Sequence, residues 1–566
     1  MISMALLLLI KPLGQFIKQI LAILLPGERV KMGVLILFNL VISGLDIVFL
    51  GGLLFIINFY TSGNTGSHLF LPGLFGQNNS LLAISLFFVL FALKNGLGYF
   101  IFASGNRFFY QVALRLSRQN LLNYLKGSHK NFIQVDSSVY IRQISQQPIE
   151  FSNYILTNLQ EVITQAVLIL FTIIAILFYH PTLFLLLFLV LLPPVFLLGL
   201  FIRRKLSRIR ASTKVTAEKV LQHLHESIAG FTESNIYNKD EFFTSRYYAY
   251  QKQLNDNIST QQSLQGLPSR LIEVFAILGF FILILLSKIY AGRQVVDLLS
   301  IGIFMAASYK IIPGVVKILN STGQIKTYRF ILVDLLTLSP PADTGDHGLT
   351  SQPITSLEFK QVKFKYKTAE ILKGLSFKIA PGDFVGISGD SGMGKTTIIN
   401  LLLGFLQPDC GAIHINNLST TNRERQNYFG RVSYVKQQPF FINDSILKNV
   451  TLAEEGHDAD KLTQVMQFCG IDAMLSHYPE GLNKLITENG KNVSGGQRQR
   501  MMLARALYHD FDLLILDEPF AEMDKEAEES ILLKLKSLAN KGKMIVLITH
   551  NKASLSFCNQ VILLND

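Results

Sequence analysis

Residues 384–397 read Phe384-Val385-Gly386-Ile387-Ser388-Gly389-Asp390-Ser391-Gly392-Met393-Gly394-Lys395-Thr396-Thr397. A short apolar run followed by GxxxxGK[ST] predicts a buried strand, a phosphate-wrapping loop and a helix. The glycines let backbone N–H groups curl around phosphate oxygens, and the helix starts with its positive end toward them. Lys395 is placed to reach β and γ oxygens, and Thr396 to offer a hydroxyl to Mg²⁺. The expected ATP contacts are therefore Gly389, Asp390, Ser391, Gly392, Met393, Gly394, Lys395, Thr396 and Thr397, with ATP and Mg²⁺ as cofactors.

Two further motifs extend this reading. About 120 residues downstream, Leu513-Leu514-Ile515-Leu516 runs into Asp517-Glu518. A buried strand ending in two carboxylates suits one acid facing Mg²⁺, Asp517, and a neighbour facing the attacking water, Glu518. Between them lies Val493-Ser494-Gly495-Gly496-Gln497-Arg498-Gln499-Arg500. Ser494, Gly495, Gly496 and Gln497 open a helix, and make a second phosphate cap. A chain that already wraps its own nucleotide would use such a cap on a partner's, so two copies are expected to close together.

The rest of the chain looks different. Of 566 residues, 16% are charged and 49% hydrophobic, and the mean hydropathy is +0.34; a soluble domain carries about 25% charge. Disorder and a purely soluble enzyme are poor fits. The net charge of +12 belongs to residues 1–350, which hold 28 Lys and Arg against 16 Asp and Glu, while the remainder holds 24 of each. Because the basic half is also the oily half, the excess reads as membrane topology, and nucleic acid is not an expected partner. Cys410, Cys469 and Cys558, with no CxxC spacing, read as small packed hydrophobes in a reducing compartment.

Apolar stretches at about 32–59, 81–104, 266–287 and 298–320, with two more in the uncharged run between Glu161 and Arg203, predict six membrane spans. The segment between Tyr60 and Ser80 and the turn at His180-Pro181 carry no Lys or Arg. Residues 104–157 carry six and 203–264 carry ten. The positive-inside rule puts these long helical segments, both termini and the ATP-binding half in the cytoplasm.

Residues 12–25 read as an amphipathic helix at the membrane interface with Lys18 on its wet face, and the opening MALLLLI lacks the features of a signal peptide. The expected domains are a six-helix membrane domain over 1–330, a turn-rich linker over 331–354 and an α/β P-loop ATPase domain over 355–566. Charges within spans are few. Lys94 either contacts an anionic substrate, or snorkels or pairs with Asp46 for packing.

The phosphate loop, the Ser-Gly-Gly-Gln signature, Asp517-Glu518 and His550 at the end of the strand Met544 to Thr549 resemble the nucleotide-binding domain of ABC transporters. Six preceding spans with long cytoplasmic extensions resemble the exporter-type half-transporters of that family. The fold class implied is a polytopic α-helical membrane domain joined to an α/β ABC ATPase domain, working as a homodimer in a bacterial inner membrane. The resemblance implies that Tyr366 stacks on adenine and that Gln437 approaches Mg²⁺ and the attacking water. It implies that His550 contacts the γ-phosphate, that Asp524 lies in the loop crossing the dimer, and that Glu488 faces the coupling helices near 131–148 and 234–247. Pro519-Phe520-Ala521-Glu522-Met523-Asp524 departs from the usual Ala-Thr-Ser-Ala-Leu-Asp, Lys436 stands where proline is frequent, and no helical tail follows the strand Gln560 to Leu564.

Pro268-Ser269-Arg270 with Glu273, Tyr309-Lys310, Pro313 and Asp46 resemble the subgroup that flips lipid-linked oligosaccharides. The expected partners are membrane lipid and an amphiphilic or lipid-linked substrate, favoured as a glycolipid; the alternative is a peptide or multidrug exporter.

Overall fold

The computed structural model describes residues 14–62, 80–127, 135–179, 181–289, 298–338, 352–366, 369–390, 392–487 and 490–564. They separate into two compact units, the described part of the first ending at residue 338 and that of the second beginning at residue 352.

The first unit is helical. Residues 14–23 form α1, followed by α2 (Pro26–Ser62), α3 (Ser80–Leu125), α4 (Thr157–Tyr179), α5 (Pro181–Ala229), α6 (Asp240–Ile289), α7 (Leu298–Thr327) and α8 (Phe330–Leu338). The six long helices α2 to α7 carry the six expected spans. Among the described residues, Pro26–Leu53, Ile84–Leu125, Ser137–Ile174 and Asp240–Ile282 are long and apolar enough to cross a membrane. The fourth and sixth expected spans lie on α5 and α7. The turn at His180 and the connections 63–79 and 290–297 fall outside the described residues.

Helices α3, α5 and α6 run on well past an apolar length of about 20 residues. Pro268 and Pro313 lie inside α6 and α7. Phe231–Ile236, a six-residue helix, turns the chain from α5 into α6 with Asn238 in the left-handed region at φ 52°.

One sequence expectation changes here and one gains a detail. Helix α1 forms with Lys18 exposed, and it keeps Ile17 and Leu21 exposed while one apolar side is covered by protein. Phe16, Ile20 and Leu24 pack against Phe108, Val112 and Leu116 of α3. Residues 331–338, expected to begin the linker, are instead helix α8. Its run Phe330-Ile331-Leu332 has enough apolar surface to bury, and Ile331 and Leu332 are fully enclosed in the same core. Asp334 of α8 accepts from Gln147 Nε2 at 2.9 Å and from Lys214 Nζ at 2.7 Å.

The second unit is α/β. An antiparallel sheet has the order β2-β1-β4-β5, from β1 (Leu357–Tyr366), β2 (Ala369–Ile379), β4 (Cys410–Ile415) and β5 (Leu418–Ser419). A parallel sheet has the order β9-β3-β8-β7-β6, from β3 (Phe384–Ser388), β6 (Val432–Val435), β7 (Leu513–Asp517), β8 (Met544–Ile548) and β9 (Gln560–Leu563).

Side chains alternate between its faces, as a strand requires. Val385, Ile387, Leu513 and Ile515 point into a core shared with the antiparallel sheet and α9 (Lys395–Leu402). Phe384, Leu514 and Leu516 point into the opposite core, with α10 (Gly495–Tyr508) and α11 (Lys525–Asn540).

Candidate nucleotide site and the membrane-unit ion pair

The phosphate loop leaves the end of β3 and enters α9. Gly392 and Gly394 adopt φ of +90° and +91°, the left-handed backbone that a phosphate-wrapping turn calls for, and Met393 N donates to Asp390 O at 3.3 Å within it. A Cβ on Gly394 would come within 2.6 Å of Ile371 Cγ2, so backbone room at this point depends on glycine. Lys395 Nζ donates to Gly389 O at 2.6 Å, holding the ammonium across the loop. Thr396 is exposed at the mouth and Thr397 is buried beneath it. Ser391 lies outside the described residues. A turn through two left-handed glycines with an ammonium held across it, at the start of a helix, fits a triphosphate.

The parallel register brings the other groups to the same edge. Ile548 of β8 lies beside Ile387 of β3 on one side and Asp517 of β7 on the other. The C-terminal strand ends of β3, β8, β7 and β6 therefore lie in a row, where open α/β sheets bind ligands.

Asp517 is only 6% exposed, burial raises its pKa above the ordinary carboxylate range, and Tyr434 Oη donates to its Oδ2 at 3.4 Å. A desolvated carboxylate of this kind is suited to a divalent cation. Glu518 takes a left-handed φ of 47°, which costs a non-glycine residue about 1–2 kcal/mol. Its N–H donates to Ile548 O at 2.9 Å, fixing the turn. Gln437 Nε2 donates to Glu518 Oε2 at 3.0 Å, and His550 Nδ1 lies 3.5 Å from Oε1. Three residues separated by up to 113 positions thus meet on one carboxylate.

The signature helix is closed by its own cap. Ser494 Oγ accepts from Gln497 N, and Gln497 Oε1 accepts from Ser494 N at 3.0 Å. Asp524 caps α11, accepting from Ala527 N at 2.8 Å, and its Oδ2 lies 3.4 Å from Arg500 Nη2. Helices α9 and α10 belong to opposite faces of the parallel sheet, so the structure does not bring Ser494 onto its own phosphate loop.

The membrane-region profile of the ABC transporters matches residues 32–309 and the family's ATPase profile matches residues 372–521, together most of the chain. The chain belongs to the ABC transporters. In this family ATP hydrolysis is coupled to transport, and the helical unit makes this transporter an integral membrane protein. It is 26% identical over 66% of its length to an ATP-dependent lipid A-core flippase of Burkholderia orbicola, spanning 64% of that protein. A flippase of the same description from Paraburkholderia xenovorans is 25% identical over 76% of this chain and 73% of its own. A probable ABC transporter ATP-binding/permease protein of Haemophilus influenzae is 30% identical over 41% of this chain and 42% of its own. A bacterial Atm1-family ABC exporter with ATP bound superposes with a TM-score of 0.78 at 18% identity, covering 96% of this chain and 94% of that one, which shows a shared exporter fold.

Other expected residues of the transporter fall as follows. Tyr366 ends β1, 46% exposed, its ring near-perpendicular to that of Phe364 at 4.9 Å between centroids. Glu488 lies outside the described residues. In the membrane unit, Lys94 Nζ donates to Asp46 Oδ1, and the ammonium stands 4.9 Å from the Phe91 ring centroid. Of the two readings of Lys94, the structure has the ion pair. Ser269 Oγ donates to Glu273 Oε1 at 3.1 Å along α6. Cys469 is buried and Cys558 partly so, but Cys410 is exposed, because it starts β4 beyond the reach of the two-residue β5, which pairs only with His414 and Ile415.

Some supporting residues escaped the sequence. Glu528 of α11 accepts from Asn551 Nδ2 at 3.3 Å and from Ser554 Oγ, pinning the turn after His550. Arg505 of α10 donates to Asn449 O at 2.6 Å and to Phe440 O at 2.8 Å, tying that helix to the segment after Gln437, and burial lowers its pKa to about 10. The capping preference of Asn551 was the sole local signal.

Proposed function

We propose that this transporter is a homodimeric, ATP-driven exporter or flippase that moves an amphiphilic glycolipid outward by alternating access, its ATPase domain in the cytoplasm of a cell with the membrane as inner membrane. The observation that carries the ATPase part is the convergence of Gln437 and His550 on Glu518, with one strand, β8, between it and the strand that leads into the phosphate loop.

In this reading the loop N–H groups and Lys395 hold the triphosphate, the exposed ring of Tyr366 stacks on adenine, and Glu518 takes the proton of the attacking water. Gln437 orients that water and His550 supports the γ-phosphate. Asp517, Thr396 and Gln437 would hold Mg²⁺, which neutralises charge on the phosphate oxygens. Opposite placement of α9 and α10 supports a two-chain sandwich, since Ser494, Gly495, Gly496 and Gln497 then serve the partner's nucleotide, with Asp524 in the crossing loop.

The glycolipid reading rests on the lipid A-core flippases among the relatives and on six long apolar helices. Lys94 adds nothing to it, because its charge is spent on Asp46. A lipid-linked oligosaccharide is one member of the proposed class.

The test is reconstitution of the full chain in vesicles holding a fluorescent glycolipid. ATP should drive the label to the opposite leaflet, and Glu518→Gln should stop it. Hydrolysis stimulated by apolar peptides or dyes but indifferent to glycolipids would overturn the substrate assignment.

A further inference from the structure

The segment that departs from the family pattern between Glu518 and Asp524 lies on the first turn of the signature helix. The Glu522 carboxylate rests so near Gly495 that a Cβ there would fall 1.6 Å from Oε2. Oε2 also accepts from Arg498 Nη2 at 3.1 Å, while Glu522 N donates to Gln499 Oε1 at 2.9 Å. Behind this, a Cβ on Gly496 would lie 3.0 Å from Glu522 O. A carboxylate and a backbone segment thus occupy the ground over Ser494-Gly495, where the sandwich reading puts a partner's γ-phosphate.

We propose that Glu522 is a positioning residue that sets how much ATP is needed to close the sandwich; this rests on the dimer reading above. Its carboxylate and an incoming phosphate compete for the same positive helix end and repel one another. Closure therefore requires Glu522 to withdraw. The side chain is 49% exposed and its pairing with Arg498 is a partly exposed one, of the kind that contributes little, so withdrawal is easy. Arg498 stays behind with its guanidinium free for the anion that replaces Glu522. The moving segment is short, bounded by Glu518 at the sheet edge and by Asp524 capping α11. Phosphate arrival at the signature is thereby linked to the turn that carries the general base.

The test uses the full chain in lipid discs on a Glu518→Gln background, with the distance between the two ATPase domains followed as Mg-ATP is raised. Glu522→Gln keeps the shape and a hydrogen bond to Arg498 but drops the charge. It should lower the half-closing ATP concentration about fivefold at low salt, the size of one surface like-charge contact. That gap should shrink at high salt. A half-closing concentration that is unchanged or higher in Glu522→Gln, or a gap indifferent to salt, overturns the proposal. Glu522→Ala separates charge from tethering: if it alone shifts closure while Glu522→Gln matches its parent, Glu522 is only a tether. Absence of ATP-dependent closure in the Glu518→Gln parent would sink the dimer reading itself.

Discussion

Gln437 Nε2 donates to Glu518 Oε2 at 3.0 Å across the edge of the parallel sheet. The contact leaves the second lone pair of that oxygen free and fixes the carboxylate's rotation. Gln437→Ala should therefore lower the ATPase turnover number about ten- to a hundredfold with a smaller change in the half-saturating ATP concentration. Steady-state hydrolysis with equilibrium ATP binding measures both. A pure binding defect at unchanged turnover would remove Gln437 from the reaction.

Glu528, only 9% exposed, receives Asn551 and Ser554 and so holds the turn that follows His550. Glu528→Ala leaves two donors unmatched and should destabilise the protein by about 1–3 kcal/mol. It should also slow hydrolysis, because His550 loses its placement beside Glu518. Thermal melts and turnover in the same preparations check the pair of effects. A stability loss with full turnover would show that His550 is positioned by something else.

Lys94 is 6% exposed and its charge is answered by Asp46. Asp46→Leu alone should strand a buried cation and destabilise the membrane unit by about 3–5 kcal/mol. The double variant Asp46→Leu with Lys94→Met should recover most of that loss. Melting in detergent of the wild type, the single and the double variants settles the comparison. Glycolipid-stimulated hydrolysis that survives in the double variant would confirm that the pair serves packing, whereas its loss at restored stability would return Lys94 to the substrate path.

The three thiols differ in access. Cys410 is exposed, Cys469 is buried with its pKa pushed up by burial, and Cys558 is raised to about 11. At pH 7.5 a maleimide should label Cys410 first and leave Cys469 untouched until denaturant is added. Mass spectrometry of timed digests reads the order. Fast native labelling of Cys469 would contradict the packing of α10 and α11 around it.

The motifs of this protein were legible because each is contiguous. Gly389 to Thr397, Ser494 to Gln497 and Leu513 to Glu518 each hold a strand end or helix start with its ligand groups in one short run, and backbone physics acts within such runs. Six spans were equally legible, since the bilayer sets a length and a polarity that any reading frame of the chain displays. Helix α8 was missed because turn residues just after it dominated the reading of 331–354, although Ile331 and Leu332 are among the most buried side chains of their core.

Three relationships needed the tertiary structure. Gln437, Glu518 and His550 meet only because β6, β7 and β8 are neighbours in the sheet order, and strand order is decided by side-chain packing on both faces. Lys94 finds Asp46 through the contact of α2 with α3, not through any local pattern. Glu522 settles on Gly495 because the shared core of α10 and α11 brings the segment before α11 over the start of α10. The sequence by itself determined which chemical groups this transporter carries. Long-range packing, which rewards contacts between residues far apart in the chain, decided which of those groups act on one another.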